Sequence, residues 1–200
     1  MQRNARRVRT GFTLIELVVV LAILGLIMLF GFPALQNMIA RSRLEGTARE
    51  VNVIMQQARF AAIKNNTRVA VRADTDIGLV SAFRDREDPP DPVEGTQDGG
   101  ELTVGPEGGF PLPNGLLLVG PPGDTAGVSG FPTSGNHGWV TFLADGSVEQ
   151  EGAFRIADRR GNYLEIRVEP RATARLQLRK WDATTSAWRT QGEKGAWNYQ

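Results

Sequence analysis

Cysteine is absent from all 200 residues. That excludes a disulfide staple, a thiolate nucleophile and any cysteine-ligated metal. Histidine is nearly absent too, since His137 is the only one. It lies in a glycine-rich loop, where a solvated imidazole is commoner than a catalytic one. Neither Ser129 nor Ser147 sits in a G-x-S-x-G elbow. Gly120–Gly127 is rich in glycine but lacks the Gly-Lys-Ser/Thr ending of a phosphate loop. Asp74 and Asp76 open like a calcium loop, yet Leu79 stands where its sharp turn needs glycine. The net charge is only +1, so the chain as a whole is drawn to neither nucleic acid nor membrane. No enzyme, cofactor or metal site is expected, and no internal repeat is visible.

What the sequence does have is one long apolar run, GFTLIELVVVLAILGLIMLFGFP, from Gly11 to Pro33. Arg3, Arg6, Arg7 and Arg9 precede it, and Glu16 is its only charge before Arg41. Phe12 to Phe32 is 21 residues, the length that crosses a bilayer core as a helix. The arginines keep the N-terminus cytoplasmic and send the C-terminal bulk outward. A secretory signal would carry its small cleavage residue after the run. Here Gly11 stands before it, at the foot of the arginine cluster. A cut after Gly11 would give Phe12 a new ammonium one helical turn before Glu16. That ammonium, on the same chain or a neighbour, is a natural counter-charge for an acid that lipid disfavours.

These residues resemble the type IV pilins and pseudopilins. GFTLIE matches their class III leader, which implies that prepilin peptidase cleaves between Gly11 and Phe12 and methylates the new terminus. Glu16 falls at the family's acidic position, fifth after the cut. Gly25 and Pro33 fall where many members carry helix-weakening residues. The resemblance divides the chain into a cleaved leader (1–11), a transmembrane and filament-core helix (12–33), an amphipathic extension (34–66) and a periplasmic β-rich domain (67–200). Within that domain lie a loop at 85–114 and a C-terminal tail at 181–200. Without cysteine, the disulfide-closed C-terminal loop of many major pilins is excluded.

Past Pro33, whose ring predicts a kink or local opening, the helical period resumes. Leu44, Ala48, Val51, Met55, Ala58 and Ala62 draw one apolar stripe, with Arg43, Glu50, Gln57 and Lys64 opposite. The helix should stop near Asn65–Asn66. Short strands follow at 67–72, 79–83, 115–119, 139–143, 147–149, 154–157, 163–168 and 172–178, with a strong hairpin signal at Asp145-Gly146. The expected fold is α+β: a long N-terminal helix packed on one face of an antiparallel β-sheet domain. Residues 85–101 hold seven acids against one arginine, which suits a solvated loop or a hard cation.

The order of elements is similar to minor pseudopilins of the GspH/FimT type, found at or near the tip of a type II secretion pseudopilus or a type IV pilus. The glycine-arginine motif common in that group's last strand pair is reduced here to Ala174-Arg175-Leu176-Gln177. The first reading is therefore a non-enzymatic minor pseudopilin of the inner membrane. Its implied partners are prepilin peptidase, other pseudopilins or minor pilins through the N-terminal helix, and exported cargo. The alternative is a minor pilin of a type IV pilus that acts in pilus assembly or DNA uptake. For that reading, Arg155, Arg175 and Arg179 share one strand face by parity, with Trp188, Trp197 and Tyr199 available for base stacking.

Overall fold

The structure, a computed structural model, describes residues 12–85 and 102–190. Two compact units divide the chain, Met1–Ala40 and Arg41–Gln200. One helix, α1 (Leu14–Asn65), supplies residues to both. It begins at Thr13, whose hydroxyl accepts the Glu16 N–H at 3.3 Å while its carbonyl accepts that of Leu17. This is a capped N-terminus with an acid in the first turn, where the helix dipole favours one. Helical geometry continues through Pro33 without a break.

The helix ends where the sequence predicts. Asn66 takes a left-handed φ of 50°. The amides of Asn66 and Thr67 then turn back to the carbonyls of Ile63 and Ala62, closing a Schellman-type cap. All six residues of the apolar stripe, Leu44 to Ala62, are fully buried. They join a single core with Val69, Val71, Phe142, Phe154, Ile156, Leu164, Ile166 and Val168.

The strands make two antiparallel sheets, not the single sheet expected. The first runs β3 (Phe110–Pro111), β2 (Leu79–Asp85), β1 (Arg68–Asp74), β7 (His137–Phe142) and β6 (Thr133–Ser134). The second runs β11 (Ala187–Thr190), β10 (Leu176–Asp182), β9 (Tyr163–Val168), β8 (Gly152–Asp158) and β4 (Leu116–Leu117), with β5 (Val128–Ser129) also on β8. The central strand β8 is buried along its whole length and shows no alternation, whereas β1 keeps most of it, with Val69, Val71 and Ala73 buried and Arg68, Arg72 and Asp74 half-buried on the other face.

Several boundaries differ from the sequence reading: the expected strand 115–119 shrinks to Leu116–Leu117, and the expected loop 85–114 holds β3 and a bridge from Thr103 to Phe83. The last long strand begins at Leu176 rather than 172, because residues 171–174 form a turn in which Ala174 has φ 44°. Of the expected strand 147–149 only a bridge from Val148 to Phe142 forms, although the Asp145–Gly146 turn is present. The described part of the tail is β-structure, since β10 reaches Asp182 and β11 pairs with it. Most of the acidic loop, residues 86–101, lies outside the described residues.

Candidate functional site

The first unit is an apolar stretch of α1. Phe12 and every described hydrophobic residue from Leu14 to Leu29 are exposed, Leu14 by 81% and even the most sheltered, Val20 and Leu24, by 45%. A helix that is apolar all round is stable only when lipid or protein covers it. Glu16 stands in its first turn, one turn from Phe12. A β-carbon at Gly25 would meet nothing within 4 Å, so neighbouring side chains do not demand a glycine there. Pro33 lies within α1, and Gly11 lies outside the described residues. Among the described residues no helix is long and apolar enough to cross a membrane.

In the second unit the arginines are arranged differently from the parity reading. Arg155 on β8 and Arg179 on β10 do share a face, because both lie opposite Glu165 of β9 in the strand register. Arg155 is only 5% exposed, however, and Glu165 is fully buried. The Arg155 Nε lies 3.4 Å from Glu165 Oε2. Its Nη1 lies 2.7 Å from the Asp124 carboxylate and donates to the carbonyls of Asp124 and Ala126, each at 3.3 Å. The guanidinium carbon stands 5.4 Å from the ring centre of Trp188, which packs edge-on against Trp181. Arg155 therefore has no free face to offer a phosphate.

Arg179 is paired with Glu169 and lies 3.7 Å from the second oxygen of Glu165. Glu169 also takes Arg167 at 2.5 Å. That hydrogen bond holds the Glu169 carboxyl below its usual range. Burial does the reverse at Glu165 and pushes its carboxyl up, against the pull of Arg155, Arg167 and Arg179. Lys180 lies on the other face, in register with core residue Leu164. Burial first, and then the Arg41 charge, hold its ammonium below the ordinary value.

Arg175 belongs to neither cluster. It precedes β10 and lines a groove with Gln56, Arg59, Phe60, Thr173 and Leu176. The three arginines thus do not form one exposed patch. Parity found the face that Arg155 and Arg179 share, but the loop carrying Asp124 and Ala126 covers Arg155. No short-range signal marked Glu165 as the hub; an acid in register between two arginines is visible only once the strands are paired. Trp188 is committed to Arg155 and Trp181, while Trp197 and Tyr199 lie outside the described residues.

Comparison with known families gives the arrangement a place. Residues 6–32 match the prokaryotic N-terminal methylation motif. Residues 47–173, well over half of the chain, match type II transport protein GspH. The chain belongs to the GspH family. Membership gives it the role of a minor pseudopilin or pilin, in a family of structural, non-enzymatic subunits. The methylation motif implies processing by prepilin peptidase and assembly with other pilin-like chains. Members are anchored in the inner membrane with the folded domain in the periplasm. No curated protein matches the chain significantly.

Two solved structures are similar to this GspH-family chain. One is the minor pseudopilin EpsH from the type 2 secretion system of Vibrio cholerae, at 14% identity and TM-score 0.41, covering 70% of this chain and 94% of that one. The other is the type IV minor pilin FimU of Pseudomonas aeruginosa, at 19% identity and TM-score 0.41, covering 69% and 89%. Similarity this distant carries no argument of its own, and the family rests on the sequence matches.

Proposed function

We propose that the chain is a minor pseudopilin that helps initiate or cap the pseudopilus of a type II secretion system. The observation that carries this reading is the wholly exposed apolar first part of α1, joined to a domain of the GspH family. The family's description as a type II transport protein supports export over uptake.

In this mechanism Phe12–Phe32 spans the inner membrane, prepilin peptidase cuts after Gly11, and the cleaved helix stays in lipid until it enters a filament. Glu16 costs roughly 2.5–3.5 kcal/mol at mid-bilayer on insertion scales and less near a helix end. That leaves it tolerable in lipid yet better paired in a filament, where the methylated Phe12 ammonium of a neighbour supplies the opposite charge. Gly25 and Pro33 are the weak points at which the helix adjusts as it leaves the membrane. The domain beyond Ala40 remains periplasmic and contacts other minor subunits or cargo. No cofactor is needed.

The test is a gene deletion complemented with the wild-type chain and, separately, with Glu16→Leu, scored for both extracellular protein and uptake of labelled DNA. Export lost on deletion and restored only by the wild type supports the reading. Lost uptake with intact export would replace it with the type IV pilus alternative, for which the burial of Arg155 is unfavourable.

A further inference from the structure

Given the reading that prepilin peptidase cuts after Gly11, on which this proposal rests, we propose that Thr13 is a positioning residue for that cut. By starting α1 at Leu14 it keeps Phe12, the residue released by cleavage, outside the helix and open to the peptidase.

The start of α1 is set by one side chain. A helix leaves its first amides without intrahelical acceptors. Thr13 answers one of them, since its Oγ1 accepts the Glu16 N–H at 3.3 Å. Its carbonyl accepts the Leu17 N–H at 3.2 Å, the first bond of the helical ladder. Thr13 is thus the cap residue, and Leu14 is the first residue of the helix proper. Phe12 stands before it and is 78% exposed. Where the chain passes into lipid such a cap gains weight, because an amide left open there finds few other acceptors.

Thr13-Leu14-Ile15-Glu16 has the spacing of a capping box, in which the acid bonds back to the amide of the cap residue. Only the threonine half is formed, and among the described residues the Glu16 carboxylate takes no hydrogen bond or ion pair. The two side chains therefore divide the work. Thr13 fixes where the helix begins, and Glu16 keeps its charge for the ammonium of a neighbour.

Cleavage makes that boundary matter. Hydrolysis adds the hydroxyl of water to the Gly11 carbonyl carbon and its hydrogen to the departing Phe12 nitrogen; the new acid then yields its proton to the new amine. The peptidase must reach that carbonyl carbon, which a helical turn would enclose in hydrogen bonds and side chains. Upstream, the next side chain able to cap is Thr10. A helix begun there would carry Gly11 and Phe12 in its first turn, with the scissile bond inside it. Gly11, a poor helix former, works in the same direction as Thr13. Loss of the Thr13 cap shifts the balance toward the longer helix, and only the unwound fraction then binds the peptidase. That raises KM and leaves kcat unchanged.

The test uses the full-length chain in detergent with purified prepilin peptidase, with initial rates of leader loss read by mass spectrometry. Thr13→Val keeps the shape of the side chain but cannot cap. It should raise KM about fivefold, the equilibrium weight of a typical cap, at the wild-type kcat. Thr13→Ser and Thr13→Asn both cap, and both should stay within about twofold of the wild type. Asparagine differs from threonine in shape, so its rescue would exclude direct reading of the threonine side chain by the peptidase. Thr13→Val cut with the wild-type KM, Thr13→Asn as poor as Thr13→Val, or a loss confined to kcat would each overturn the proposal. A wild-type chain left uncut after Gly11 would overturn the processing reading itself, and the proposal with it. Thr13 is exposed and lies outside the folded domain, so failure to fold does not confound the result.

Discussion

Arg155 and Glu165 face each other across β8 and β9, Nε to Oε2 at 3.4 Å, both buried on the side of the second sheet away from the main core. Arg179 closes the row from β10. Sequence parity places the two arginines on an exposed basic surface. The fold sets them on either side of the buried Glu165 carboxylate, and this changes what their substitution should do.

Glu165→Ala should destabilise the domain by about 3–5 kcal/mol, because it takes from buried Arg155 its one buried carboxylate and leaves only the exposed Asp124 as counter-charge. Urea unfolding of a fragment beginning at Arg41, which retains the whole core, measures this. A loss below about 1 kcal/mol would mean that Asp124 and the carbonyls already satisfy Arg155.

The pH dependence of that stability should have two opposed parts. Glu165 has its carboxyl raised by burial, so the folded state holds its proton longer than the unfolded chain. Its contribution is present below the usual 4.5 and declines as pH rises from there through the folded value. Glu169 is lowered by its bond from Arg167, so its contribution is present above 4.5 and is lost as pH falls through the folded value. Glu165→Gln should flatten the decline above 4.5, and Glu169→Gln the loss below it. Chemical denaturation from pH 3 to 7 reads both.

Gly152→Ala should cost about 1–3 kcal/mol. A β-carbon there would stand 2.5 Å from the Phe131 ring and 2.6 Å from the Ser129 carbonyl, and the carbonyl cannot yield without moving β5. Thermal unfolding of the same fragment would expose a tolerant site as no change in melting temperature.

Processing and assembly should separate genetically. With prepilin peptidase present, mass spectrometry of the membrane protein should find an N-methylated Phe12 terminus, and Gly11→Val should leave the leader attached. Glu16→Leu should insert and be cleaved normally yet be missing from sheared filament fractions. Normal entry into those fractions would remove Glu16 from the docking step.

Duplex DNA should bind the Arg41 fragment weakly or not at all, with little dependence on salt. Arg155 is enclosed, Arg179 is paired, and Arg175 stands apart in the groove. The triple alanine variant should lose stability through Arg155 more than it loses any affinity. Tight binding that falls steeply with salt and vanishes in Arg175→Ala alone would restore an uptake role.

Features carried by neighbouring residues were legible without a structure. The GFTLIE junction, the apolar run, the stripe from Leu44 to Ala62, the stop at Asn65–Asn66 and the strands around Val69 and Leu164 each depend on local spacing or turn chemistry. A helix or strand writes its own period into the chain. The division into two sheets, the late start of β10, the cover over Arg155 and the separation of Arg175 from Arg179 were not legible. Each depends on which distant segments pair and in what register. Glu165 shows the difference most plainly: its alternation with Ile166 marks it as outward-facing, and only the strands on either side, each bringing an arginine, make that outer face an interior.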